Sequence, residues 1–151
     1  MRLDEYDYSQ EGVYFVTICV ESGRKLLGEV VGASVLARPK VHLSNVGGVV
    51  EKALIYYNEN HPDIRIKNYV IMPNHIHVII AIVPEAGERG RSPLQYIIRN
   101  LKSFITKSIG YSIWQKSFHD HVIRNASSYQ RICQYIDQNL AKWQEDRYYT
   151  D

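Results

Sequence analysis

Two histidines, His75 and His77, stand one residue apart inside the apolar run YVIMPNHIHVIIAIV, residues 69–83. Side chains alternate across a strand, so both imidazoles project to one face while Ile76, Val78, Ile80 and Ile82 project to the other. Successive same-face residues lie about 7 Å apart along a strand, a span over which two imidazoles can converge on one ion. Two neutral imidazoles leave several coordination positions open, as an ion that must also hold a substrate phosphate requires. The plainer reading is a pair of half-exposed strand histidines with hydrogen-bond partners.

A second pair, His119 and His121, flanks Asp120 in SFHDHVIRN with the same spacing. By spacing the pair is a competing metal site, but the charged residue between them suits an edge or exposed strand, so these histidines are read mainly as surface or supporting groups, His121 being the candidate supporting group beside the ion. The chain has twelve tyrosines, so any single one is a weak signal. Tyr135, however, shares a polar helical face with Ser128, Arg131 and Asn139, beside an apolar stripe. Asn139 is one turn further on, so a phenol and an amide oxygen can serve one site. The alternative is an amphipathic tyrosine at the edge of a core contact.

The elements that must position these groups follow from the pattern. GVYFVTICV (12–20) reads as a strand covered on both faces. An irregular stretch follows, with a short hairpin around Val30 and Val41. From Ser44, an N-cap, Val46, Val49, Val50, Ala53 and Tyr57 recur at helical spacing up to Asn60-His61-Pro62. IRIKNYVIM and HIHVIIAIV are two strands joined by Pro73-Asn74, hence a β-hairpin. After the polar loop PEAGERGRSP, Ser92-Pro93 opens a helix carrying Leu94, Ile97, Ile98, Leu101, Ile105 and Ile109, and Gly110 ends it. SIWQKSFHDHVIR is extended. A last helix from about Ala126 carries Tyr129, Ile132, Cys133, Ile136, Leu140 and Trp143 on one side.

Strand, helix, strand, strand, helix, strand, helix is the order of an α+β, ferredoxin-like split βαβ plan with an extra C-terminal helix. Its antiparallel sheet is covered by helices on one face, which leaves the histidines of residues 75–77 on the open face. At 151 residues a single domain, 1–151, is expected. Hydrophobic content of 45% and charged content of 23% exclude a disordered or fibrous class. Cys19 and Cys133 lie far apart with no CxxC spacing, so a reducing, cytoplasmic setting is expected rather than a disulfide framework. No leader pattern and no apolar run of about 18 residues is present, which argues against secretion and against a membrane partner.

The net charge of +2 does not by itself imply a nucleic-acid partner. It is nonetheless concentrated: residues 89–124 hold seven Lys or Arg against Asp120 alone, a local balance of +6. Arg99, Lys102, Lys107, Lys116 and Arg124 are the phosphate-contact candidates within it, with Arg99 and Lys102 one turn apart on the second helix. Tyr111, Trp114 and Phe118 nearby are of a type that stacks on unpaired bases. A solvated face with core aromatics is the alternative for several of these.

Taken together, YDYSQEGVYFVTICV, YVIMPNHIHVII, IWQKSFHDHVIRN and RICQYIDQNLAKWQEDR resemble the REP-associated tyrosine transposases, in the single-tyrosine branch of the HUH endonucleases. The resemblance runs from about Tyr6 to Arg147. It implies that His75 and His77 bind a divalent ion, Mg2+ or Mn2+, that Asn139 helps to hold it, and that Tyr135 is the nucleophile. It further implies nicking and rejoining of hairpin-forming single-stranded DNA at transposon or repeat ends, through a 5′-phosphotyrosine and without a nucleotide cofactor. One departure is visible: the family pattern usually places proline after this asparagine, where Leu140 stands, so the last helix is expected to run on through Trp143. Relatives differ in whether two subunits exchange the tyrosine helix, so both homodimer and monomer stay open. A catalytically idle hairpin-binding relic is the alternative function, and a phosphoesterase using water at the same metal is a third.

Overall fold

A computed structural model describes residues 12–31, 40–82 and 93–143. The stretches read as YDYSQE, the polar loop with Arg89 and Arg91, Ser92, and the chain beyond Trp143 lie outside the described residues. The order is β1 (Gly12–Cys19), β2 (Gly28–Val31), β3 (Lys40–Leu43), α1 (Asn45–Asn60), β4 (Ile64–Met72), β5 (His75–Ile82), α2 (Pro93–Ile109), β6 (His119–Val122) and α3 (Ala126–Gln138). Four strands form one antiparallel sheet in the order β4-β5-β1-β6, the arrangement the split βαβ plan requires. The remaining hairpin, β2-β3, pairs Val30 with Val41 as expected and is inserted between β1 and α1.

Local chemistry sets the boundaries. Ser44 caps α1 by accepting from the Gly47 amide at 3.0 Å. Gly47 presses so closely on the Leu27 carbonyl that a Cβ there would collide with it, which seats the inserted hairpin on the helix. The α2 stripe ends at Gly110, whose φ of 99° suits only glycine at a helix C-terminus. Among the described residues, no helix is long and apolar enough to cross a membrane.

The sheet has two cores. Val16, Ile18, Ile76, Val78 and Ile80 face α1 and α2, whose Val50, Leu54, Ile98, Leu101 and Ile105 complete the larger one. Val13, Ile79 and Ala81 face the other way and pack on Ile123 and on Tyr129 and Ile136 of α3. The face expected to be open is therefore covered by the C-terminal helix, and His75 and His77 are 0% and 1% exposed rather than accessible. The amphipathic pattern of α3 already contained the reason: its apolar stripe needs a surface, and the first sheet face is filled by two helices.

Two further expectations are corrected. Of SIWQKSFHDHVIR only His119–Val122 forms a strand, with Trp114 making a lone bridge to Val20. Regular helix α3 ends at Gln138 instead of continuing through Trp143. The chain beyond it keeps turning, with the Lys142 amide bonded to Gln138 O and the Trp143 amide to Leu140 O.

Candidate active site

His75 and His77 enter β5 directly after the Pro73-Asn74 turn, and register places Cys19 opposite His75 and Thr17 opposite His77. The two rings meet through their Nε2 atoms at 3.1 Å. Each Nδ1 is held from behind: His75 Nδ1 by Asn74 Oδ1 and His77 Nδ1 by Thr17 Oγ1, both at 2.8 Å. The Asn74 amide nitrogen points to the Gly23 carbonyl, which turns its oxygen toward His75. An amide oxygen only accepts, so His75 donates from Nδ1 and its Nε2 presents a bare lone pair. Burial drives the His75 pKa down to about 3, which keeps the ring neutral. The Thr17 hydroxyl can donate or accept, so it supports His77 with the proton on either nitrogen.

This arrangement fits a divalent ion. Two cis ligands of an octahedral ion about 2.1 Å from its centre stand roughly 3.0 Å apart, close to the separation of the two Nε2 atoms. Anchoring the far nitrogen of a ligating histidine is the usual way such a ring is oriented. Among the described residues no group of three or more His, Cys, Asp or Glu converges, so a third protein ligand would have to be of another type.

Helix α3 covers this side of the sheet. Asn125 caps it, accepting from the Ser128 amide at 2.8 Å, and so starts the helix directly after β6. Tyr135 lays its ring against His77, with centroids 5.3 Å apart, and edge-on against Phe15, which itself stacks on His77. Eight residues on, Trp143 stacks on His75 at 6.1 Å. Asn139 lies midway between these two residues in sequence and is 3% exposed, although the sequence grouped it with a polar face. Tyr135 by contrast is 41% exposed and reaches a cleft of about 460 Å³. Its walls include Phe15, Thr17, His77, His121 and Arg131.

The second histidine pair lies where the sequence suggested. β6 is an exposed edge strand, His119 and His121 sit opposite Thr17 and Phe15, and both line this cleft. Of the cations, Arg99, Lys102 and Lys116 border a different cleft, between α2 and the segment leading into β6. Lys102 is committed there, donating to the carbonyls of Gln115 at 2.7 Å and Lys116 at 3.2 Å, and burial lowers its pKa. Lys107 is exposed in the last turn of α2, and Arg124 is exposed just beyond β6. Tyr111 is exposed and Phe118 half-buried, but Trp114 is 6% exposed and offers no face for stacking.

No protein-family model matches the chain. An uncharacterized protein of Haemophilus influenzae is 30% identical over 172 aligned positions, covering 100% of this chain and 92% of that one. A REP-associated tyrosine transposase solved in complex with a REP hairpin is 26% identical, with a TM-score of 0.63 over 87% of this chain and 68% of that one. In fold and in sequence the chain is similar to the REP-associated tyrosine transposases. A protein of Deinococcus radiodurans R1, described provisionally as a transposase, shares the fold at 12% identity, with a TM-score of 0.54 over 85% of this chain and 90% of that one.

Within this transposase-like chain, sequence reasoning missed three positioning residues. Thr17 is the one residue with an aliphatic hydroxyl in VYFVTIC, which was a usable signal. Asn74 was read only as a turn residue, although it directly precedes His75. Asn125 carried the ordinary N-cap signature before the helix.

Proposed function

We propose that the chain is a metal-dependent single-stranded DNA strand transferase acting on hairpin-forming repeat or transposon ends through Tyr135. The observation that carries the reading is the meeting of Tyr135 with His77, whose Nε2 faces that of His75 at 3.1 Å. The solved relative bound to a REP hairpin supports hairpin DNA as the substrate class. His75, His77 and Asn139 would hold Mg2+ or Mn2+, which when bound supplies charge stabilisation to the scissile phosphate.

The chain's own groups do the rest. Arg131, one turn before Tyr135 on the wall of the cleft, meets the phosphate charge. Tyr135 Oη attacks phosphorus and loses its proton, the bond from phosphorus to the 3′ oxygen breaks, and that oxygen leaves as a 3′-hydroxyl after taking up a proton. The product is a 5′-phosphotyrosyl diester. Attack on it by a 3′-hydroxyl restores a phosphodiester and releases Tyr135, so the bond count closes without a nucleotide cofactor.

Incubation with hairpin-bearing single-stranded oligonucleotides and Mg2+ or Mn2+ should give a covalent adduct on denaturing gels, lost on Tyr135→Phe and on adding a chelator. An adduct that persists in Tyr135→Phe places the nucleophile elsewhere. Hairpin binding with no cleavage at any divalent metal would mean an idle binding protein, and cleavage with no protein-linked species a water-using phosphoesterase.

A further inference from the structure

The tyrosine cleft has a floor and two walls. Strand β1 supplies Phe15 and Thr17 as the floor, with β6 on one side of it and α3, which packs toward β4 and β5, on the other. Arg131 and Tyr135 line the cleft from the helix wall, His119 and His121 from the strand wall. Directly opposed residues of an antiparallel pair share a sheet face. His121 is the β6 partner of Phe15, the ring that Tyr135 meets edge-on with centroids 6.0 Å apart. Phenol and imidazole thus flank one aromatic ring, and the cleft volume of about 460 Å³ leaves room for a phosphodiester between them. In an in-line displacement the entering and leaving oxygens lie on opposite sides of phosphorus. With Tyr135 entering from the helix wall, the departing 3′ oxygen faces the strand wall, and it must take up a proton there.

Few groups in the cleft can supply it. A guanidinium such as that of Arg131 does not release its proton. His77 is engaged through Nδ1 by Thr17 and through Nε2 by His75. Asp120 alternates to the other face of β6, in register with Val16 of the α1–α2 core. His119 is in register with Thr17 and also borders a small cavity behind Cys19 and Asn74, one step further from Phe15. We infer that His121 is a second catalytic residue, which protonates the departing 3′ oxygen in nicking and takes a proton from the attacking 3′-hydroxyl in rejoining. As the bond from phosphorus to the 3′ oxygen breaks, its electron pair goes to oxygen, which takes the imidazolium proton and leaves His121 neutral. Rejoining returns that proton, so His121 ends the cycle as it began. An imidazole suits both directions because it gains and loses a proton near neutral pH. The inference rests on the strand-transferase reading, and its test separates the two.

The probes are two hairpin-bearing oligonucleotides from the DNA beside this chain's gene, identical except at the phosphodiester that the parent chain cuts. One carries sulfur there in place of the bridging 3′ oxygen. Sulfur leaves as a thiolate and needs no proton, since an ordinary thiol pKa is about 8.5. With Mn2+ and saturating protein, His121→Gln should slow adduct formation on the oxygen probe by about 100-fold, the scale of general acid catalysis, but on the sulfur probe by less than about threefold. Affinity, read by fluorescence anisotropy with Tyr135→Phe also present, should be the same with and without His121→Gln. Equal slowing on both probes, or slowing explained by weaker binding, assigns His121 a structural or DNA-holding role and overturns the inference. So does full activity of His121→Gln, or a sulfur-rescued loss that belongs to His119→Gln instead. In each of these cases the adduct of the parent chain keeps the strand-transferase reading standing. No adduct from the parent chain on either probe overturns both.

Discussion

Thr17 and His77 are joined across β1 and β5 by a 2.8 Å hydrogen bond between the hydroxyl and Nδ1, so the ring that Tyr135 touches is aimed by the neighbouring strand. Removing the hydroxyl in Thr17→Val keeps the β-branched shape and the strand. Metal affinity, followed by Mn2+ titration calorimetry, should fall by about 10- to 100-fold, the usual effect of losing such a supporting bond, while thermal stability changes little. Unchanged affinity would mean that packing against Phe15 alone aims the ring.

His75 gives the metal-free protein an acid limit. Its folded pKa of about 3 lies below the ordinary value of 6.5, so the unfolded chain takes up a proton that the folded chain refuses. The stability from keeping this ring neutral is complete above about pH 6.5 and is lost as pH falls toward 3, by at most about 1.4 kcal/mol per pH unit. Urea melts in chelator between pH 7 and 4 should show this slope, and His75→Gln should flatten it. An equally steep curve in the variant would assign the proton to another group.

Asn125 couples the edge strand to the tyrosine helix. Asn125→Ala removes the cap bond to the Ser128 amide and should cost about 1 kcal/mol. The loss should appear as slower adduct formation as well as a lower melting temperature, with Asn125→Asp restoring both. Full activity in the alanine variant would show that packing of Tyr129 and Ile136 suffices to seat α3.

The strand order, the hairpin at Pro73-Asn74 and the caps at Ser44 and Gly110 were legible because each rests on local rules of alternation, helical spacing and turn chemistry. The pairing of His75 with His77 was legible for the same reason, being a matter of spacing two on one strand. Their burial was not. It depends on α3 crossing to the second face, a long-range packing choice that periodicity alone does not report. The same limit hid Lys102: its position on α2 marked it as a cation at the surface, whereas the Gln115 and Lys116 carbonyls that engage it come from a segment with no regular structure. Asn139 was legible as one turn from Tyr135, but that it lies inside became clear only from the contacts of Tyr135 and Trp143 on either side.

The two sheet faces are unequally filled. α1 and α2 bury a large share of the apolar side chains, while α3 relies on Tyr129, Ile136 and the flanks of Ile132 and Cys133. Such an element opens at a lower free energy than the rest. In native-state hydrogen exchange the α3 amides should therefore lose protection before those of β1 and β5, and Ile136→Ala should hasten α3 without hastening the central strands. The nucleophile would then ride on a semi-independent cooperative unit, able to detach and redock while the histidine strand stays folded beneath it.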